Sequence, residues 1–212
     1  MRCLICGRKR DEGSLRDILL SDDPLCSKCR AEWMRKRIHF RIKGIPAEAF
    51  YVYNSAFSSA LIQYKECGDE ALRDIFLYEV RNELRRKYHG YTFLRMPSTE
   101  TKQNQRGFDH LEEMLKITGI RSEAPFYKIH DFTQKQSGKT ERARMETDIG
   151  VREGYRFAEK IVLFDDVITT GSTIRGALAC IPVHSVKVRI AACAANAKLI
   201  KLPFQRRKDI IE

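Results

Sequence analysis

Residues 161–173 read Ile-Val-Leu-Phe-Asp-Asp-Val-Ile-Thr-Thr-Gly-Ser-Thr, and no other stretch constrains the fold of this chain as tightly. Four apolar residues, Ile161 to Phe164, have the pattern of a short strand buried on both faces. Two adjacent carboxylates, Asp165 and Asp166, stand at its C-terminal end. A turn of small, hydroxyl-bearing residues follows, and Ile174 to Ile181 has helical character. Such a strand–turn–helix unit aims backbone N–H groups around Thr169 to Thr173 at an anion. The hydroxyls of Thr169, Thr170, Ser172 and Thr173 add donors, and Gly171 permits close backbone approach or a positive φ. Asp165 and Asp166 cannot face the same anion without repulsion, so they suit a ribose diol or a hydrated Mg²⁺ beside it. A Walker-type phosphate loop fits less well, because the chain has no Gly-x-x-x-x-Gly-Lys-Ser/Thr run.

The same residues resemble the phosphoribosyl pyrophosphate (PRPP) signature of type I phosphoribosyltransferases: an apolar strand, two acidic residues and Thr-Thr-Gly-x-Thr. All positions of that pattern are present. The resemblance implies that Asp165 and Asp166 contact ribose hydroxyls, that Thr169 to Thr173 hold the 5′-phosphate, and that Mg²⁺ accompanies PRPP. The plainer alternative is an ordinary strand–helix turn with its acids and threonines in solvent.

Seven cysteines sort into four plus three. Cys3-x-x-Cys6 and Cys26-x-x-Cys29 have the pairing and separation of a structural zinc site. Each short pair wraps half of a tetrahedron, and Gly7 follows the first where a tight knuckle needs it. Disulfides are the rival reading; the odd count and the lack of a signal-peptide pattern at the N-terminus oppose it and favour a cytoplasmic chain. A closed four-thiolate site leaves no position open for chemistry. Cys180 and Cys193 sit in apolar company and read as core, while Cys67 lies in a turn without a basic activator.

The 212 residues suit one α/β domain plus a small appendage, and no apolar run approaches a membrane span. The formal net charge is +11, with basic clusters at 35–43, 85–87 and 198–208. Nucleic acid, an anionic membrane surface, a highly phosphorylated ligand and a merely solvated basic face all remain compatible with that excess.

Residues 1–44 read as a zinc ribbon or knuckle continuing into a basic helix, broken by Gly44-Ile45-Pro46, and residues 45–212 as the main domain. Within it, Ala49 to Tyr53 reads as a strand, and Ala56, Phe57, Ala60, Leu61 and Tyr64 mark one helical face. Leu72 to Leu84 reads as a second helix, Tyr91 to Met96 as the first core strand, and Phe108, Leu111 and Leu115 as the stripe of another helix. Ala124 to Ile129 and Tyr155 to Phe157 read as short strands, Lys139 to Glu146 as a charged helix, and Val186 to Ala192 as a buried strand. This alternation predicts a mostly parallel sheet flanked by helices, with ligands bound beyond the strand C-termini near Asp165 and Pro97.

Taken together the segments resemble the ComF family of competence-associated proteins, in which a Cys-x-x-Cys pair joins a type I phosphoribosyltransferase-like domain. Tyr64-Lys65-Glu66-Cys67-Gly68-Asp69 matches one family element, Arg106-Gly107-Phe108-Asp109-His110 a second, and Gln134 to Ser137 with Arg142 a third. Two departures stand out: Arg95-Met96-Pro97-Ser98 replaces a Val-Pro-like loop, and Asp109-His110 replaces Asn-Gln. The resemblance implies a cytoplasmic role in handling single-stranded DNA during natural transformation, beside a ComFA-like helicase. Arg106, next to a glycine, has the reach to swing a guanidinium onto a phosphate, or is a surface arginine at a helix start. No catalytic residue and no acceptor pocket is legible. An active phosphoribosyltransferase with an unidentified acceptor is the second reading, and ammonia-generating amidotransfer is disfavoured because Cys3 belongs to the knuckle.

Overall fold

The run Ile161–Phe164 is buried on both faces because it occupies the interior of a sheet whose neighbouring strands both run parallel to it. The computed structural model describes residues 2–9, 22–129 and 148–196. In the first half of the chain these form α1 (Ser27–Glu32), β1 (Arg35–Ile42), β2 (Ile45–Tyr53), α2 (Ser55–Glu66), 3-10 turns at Glu70–Phe76 and Tyr78–Val80, and α3 (Arg81–Lys87). Then come β3 (Thr92–Arg95), α4 (Glu100–Arg106), α5 (His110–Lys116), β4 (Ser122–Glu123), β5 (Phe126–Lys128), β6 (Ile149–Val151), β7 (Lys160–Ile168), α6 (Ser172–Ala179) and β8 (Lys187–Asn196).

Six strands form the main sheet in the order β1-β2-β8-β7-β3-β4, and every pairing except β1 with β2 is parallel. The expected sheet with flanking helices is therefore present. Its parallel strands end together, which gathers the residues after β3 and β7 at one rim. The alanine-rich stretch of β8, Ala191 to Ala195, is fully buried and lets the layers approach closely. A separate antiparallel pair, β5 with β6, stands beside that rim.

Several local expectations are corrected. The basic helix expected up to Arg41 is only α1; residues 35–42 are the edge strand β1, hairpinned to β2. Ile38, Phe40 and Ile42 face inward while His39 and Arg41 face out, a period-two alternation that a helix cannot satisfy. The segment from Leu72 to Val80 turns as two 3-10 pieces before α3 begins. Pro125 divides the expected 124–129 strand into β4, in the main sheet, and β5, outside it. Tyr155 to Phe157 is not a strand; its rings pack edge to face at 5.1 Å, and β6 supplies the pairing instead. The 139–146 helix, the 134–142 element and the basic 198–208 cluster lie outside the described residues.

The cysteine-bearing segment packs into the main core. Trp33 meets Tyr51, Phe57 and Phe76 at ring distances of 5.6, 4.8 and 5.5 Å. Arg30, fully buried on α1, donates to both carboxylate oxygens of Asp23 at 2.6 and 3.2 Å and to the Ile75 carbonyl at 2.8 Å. A buried guanidinium is tolerated only when paired and hydrogen-bonded in this way.

Candidate functional site

Beyond the C-terminal ends of β3 and β7 lies a cavity of about 160 Å³, whose lining includes Asp165, Asp166 and Glu66, the Met96-Pro97-Ser98 loop, Thr173, His110 and the cations Lys65, Lys102, Arg106 and Lys128. Asp166 is the anchor of this cluster. Its Oδ2 accepts from Lys65 Nζ at 2.6 Å and from His110 Nε2 at 2.9 Å. Arg106 in turn donates to the Lys65 carbonyl at 2.9 Å and bonds His110 Nδ1 at 2.8 Å. A guanidinium only donates, so His110 Nδ1 accepts and its proton sits on Nε2, facing Asp166. Burial, which disfavours the imidazolium, outweighs the Asp166 charge and lowers the His110 pKa, consistent with that neutral tautomer.

The two adjacent carboxyls are driven apart. Burial opposes ionisation of Asp166, but the Lys65 ammonium and the His110 hydrogen bond overcome it and hold Asp166 well below the usual carboxylate range. Burial and the Asp166 charge push Asp165 up to about 7. Asp165 takes only the Asp166 N–H at 2.9 Å and makes no ion pair among the described residues. A partly desolvated carboxyl beside a charged one fits a ribose hydroxyl or a hydrated divalent cation, either of which relieves the crowding.

The turn after β7 adds the helix terminus. Gly171 adopts φ 74°, in the left-handed region, and is the N-cap of α6; no side chain among the described residues caps that helix. The first N–H groups of α6 are therefore left for an anion. Thr169 and Thr170 are exposed, Thr170 Oγ1 lies 3.3 Å from Ser172 Oγ, and Arg175 donates to the Thr170 carbonyl at 3.0 Å. Of the residues singled out from sequence, Asp165, Asp166, Thr173 and Arg106 share the cavity. Thr169, Thr170, Gly171 and Ser172 form the adjoining turn and are not part of its lining.

The end of β3 and the segment that leads into α5 meet in space. Arg95 Nε donates to Asp109 Oδ2 at 3.0 Å, and Arg95 also reaches Glu112 at 2.9 Å and Ser122 at 2.7 Å. Asp109 caps α5 through its other oxygen, accepting from Leu111 N and Glu112 N. The neighbouring His110 is the residue that sequence reasoning missed, together with Lys65. Both lie in matched motifs, but their meeting with Asp166 spans 56 and 101 residues of chain and left no local signal.

In the N-terminal segment, the Sγ atoms of Cys3, Cys6, Cys26 and Cys29 all lie within 4.8 Å of one another, and Cys6 and Cys26 are 3.8 Å apart. A tetrahedron with Zn–S bonds of about 2.3 Å has edges of about 3.8 Å, so the donor set fits zinc. Burial would raise the Cys3 thiol, but the backbone N–H groups of Cys26, Cys6 and Ile5 bring it down to about 7. Burial raises Cys26 and Cys29, and the thiols of Cys6 and Cys26 raise Cys29 further, a crowding that a cation among the four would relieve.

No family model matches the chain. It is 26% identical over 199 residues to "Competence protein ComFC" of Streptococcus pneumoniae, covering 82% of this chain and 90% of that protein. It is 23% identical over 181 residues to "Competence protein ComFC" of Bacillus subtilis, covering 84% of this chain and 70% of that protein. The sequence is ComFC-like. Among solved structures, the ComFC-like chain is similar to an adenine phosphoribosyltransferase, with TM-score 0.41, 11% identity, and coverage of 87% of this chain and 95% of that one. It is also similar to a hypoxanthine phosphoribosyltransferase from Staphylococcus aureus, with TM-score 0.37, 10% identity, and coverage of 58% and 62%. Among the described residues no helix is long and apolar enough to cross a membrane.

Proposed function

We propose that this chain is a competence protein that assists the uptake and processing of single-stranded DNA during natural transformation, and that its rim cavity is a PRPP-type ligand site. The named relatives support the first part. The observation that carries the second is the make-up of the cavity: two carboxylates at the end of β7, four cations around them, and an uncapped helix N-terminus alongside.

In this reading the Thr169–Thr173 turn holds a 5′-phosphate, and Asp165 takes ribose hydroxyls or hydrated Mg²⁺. Bound Mg²⁺ supplies neutralisation of pyrophosphate charge. Arg106 serves the phosphates, while Lys65 and His110 keep Asp166 ionised and His110 aims Arg106. Residues 1–44 carry a structural zinc at Cys3, Cys6, Cys26 and Cys29, and residues 45–212 carry the ligand site. The protein works in the cytoplasm beside a ComFA-like helicase.

The test is calorimetric titration of PRPP with Mg²⁺ into the native chain and into Asp165→Ala/Asp166→Ala. Heat from the native chain alone is expected; equal binding by both removes the ligand reading. Single-stranded DNA affinity is expected to fall steeply with salt, and a flat salt response would refute the polyanion reading.

A second reading, an active phosphoribosyltransferase, is favoured by one observation. A cavity of about 440 Å³ adjoins the first and shares Met96, Pro97, Ser98, Arg106, His110 and Lys128 with it, which is room for a second reactant. Pyrophosphate release from PRPP in the presence of a panel of bases would establish that activity.

A further inference from the structure

The larger cavity carries a feature that phosphate binding does not use. Its wall includes Tyr127 of β5, which is 47% exposed and directly opposite Gly150 of β6. Gly150 is not among the glycines with positive φ, so its backbone does not demand a glycine. What it provides is space. A Cβ at position 150 would fall 2.7 Å from the Tyr127 hydroxyl oxygen and 2.8 Å from Cε2, closer than real Cβ atoms approach. The outer end of the Tyr127 ring therefore rests over the Gly150 backbone, the cross-strand arrangement in which an aromatic covers a glycine.

Tyr127 is the one aromatic among the large exposed apolar side chains of the described residues; Trp33, Tyr51, Tyr64 and Tyr88 are all buried. The charge around it is one-sided. Arg95, Arg106, Lys128 and Arg152 line the same cavity against Glu100 and Asp109. Arg95 and Asp109 pair with each other, which leaves Arg106, Lys128 and Arg152 against Glu100. A supported ring open to an anion-attracting wall is what a base flanked by phosphates requires. A free base brings no charge for Lys128 and Arg152 to meet, whereas a nucleotide within a strand does.

We infer that Tyr127, seated on Gly150, is a stacking platform for one nucleobase of a single-stranded nucleic acid, with Lys128 and Arg152 taking the adjacent phosphates. This inference rests on the single-stranded DNA reading above and goes beyond it by locating a contact.

Fluorescence anisotropy of the zinc-loaded full chain tests it with two labelled 12-mers of equal charge, oligo-dT and its abasic counterpart. Tyr127→Leu is expected to weaken oligo-dT binding by about 5- to 150-fold and to leave the abasic strand unchanged. Tyr127→Phe should bind like the native chain. Gly150→Val, which keeps the ring but pushes it off its seat, should weaken oligo-dT as Tyr127→Leu does. If native protein binds both strands and Tyr127→Leu alters neither, the platform is refuted while the DNA reading stands. If neither strand binds, the DNA reading falls and the platform with it. If Tyr127→Leu spares oligo-dT yet abolishes competition by free adenine, the ring serves a transferase acceptor and the inference is overturned.

Discussion

Replacing Asp165 by Asn is expected to stabilise the fold, by an amount that depends on pH. The Asp165 carboxyl is raised from 3.8 to about 7 by burial and by the charge on Asp166. Between those values the native state holds a proton that the unfolded chain has released. The stability tied to that proton is complete below pH 3.8 and is lost as pH rises through about 7. One pH unit per proton is worth about 1.4 kcal/mol, so the native aspartate costs on the order of 1–2 kcal/mol at pH 5 and about 4 kcal/mol at pH 8. Asp165 is only partly buried, and water trims the upper figure to about 2–4 kcal/mol. Asparagine keeps an oxygen for the Asp166 N–H, so the substitution opens no hole in the hydrogen bonding. Guanidinium unfolding of the zinc-loaded native and Asp165→Asn proteins from pH 5 to pH 8 reads the difference directly. The gap should widen by about 1 kcal/mol per pH unit up to pH 7 and then level off. Equal stability at pH 8, or a gap indifferent to pH, would refute the claim that a crowded, desolvated carboxyl is held here at the expense of the fold.

Arg30→Ala should cost about 3–5 kcal/mol in urea unfolding, because it strands the buried Asp23 carboxylate, and Arg30→Met with Asp23→Asn should recover most of that loss. A loss below about 1 kcal/mol in the single variant would show that the pair does not fasten α1 to the core. Zinc chelation should lower the main calorimetric transition, since Cys3, Cys26 and Cys29 share one apolar cluster with Trp33 and the sheet; an unmoved main transition would mean that the knuckle is thermodynamically separate. Gly171→Val places a β-branched residue at φ 74° and should cost about 1–2 kcal/mol while abolishing PRPP binding. Undiminished PRPP affinity in that variant would remove the helix terminus from the ligand site.

The parts of the molecule legible in the sequence are those whose physics is local. The strand and turn from Ile161 to Thr173 declare themselves because a buried parallel strand needs an unbroken apolar run and its following turn needs Gly171. The four cysteines declare themselves because each short pair can present two thiols to one ion. The edge strand β1 was also within reach: Ile38, Phe40 and Ile42 alternate with His39 and Arg41, but the density of arginine and lysine invites a helix. The partnership of Lys65 and His110 with Asp166 was not legible, because it joins α2, α5 and β7, which only the tertiary fold brings together. The division of 124–129 turned on Pro125, whose missing N–H excludes it from a continuing ladder.

Arg95 and Asp109 constrain one another. Asp109→Asn alone would deprive a nearly buried guanidinium of one anionic counterpart, and an aliphatic residue in place of Arg95 alone would free Asp109 from its cation. Each position thus sets what its mate tolerates, and a change at either is accommodated best by a matching change at the other.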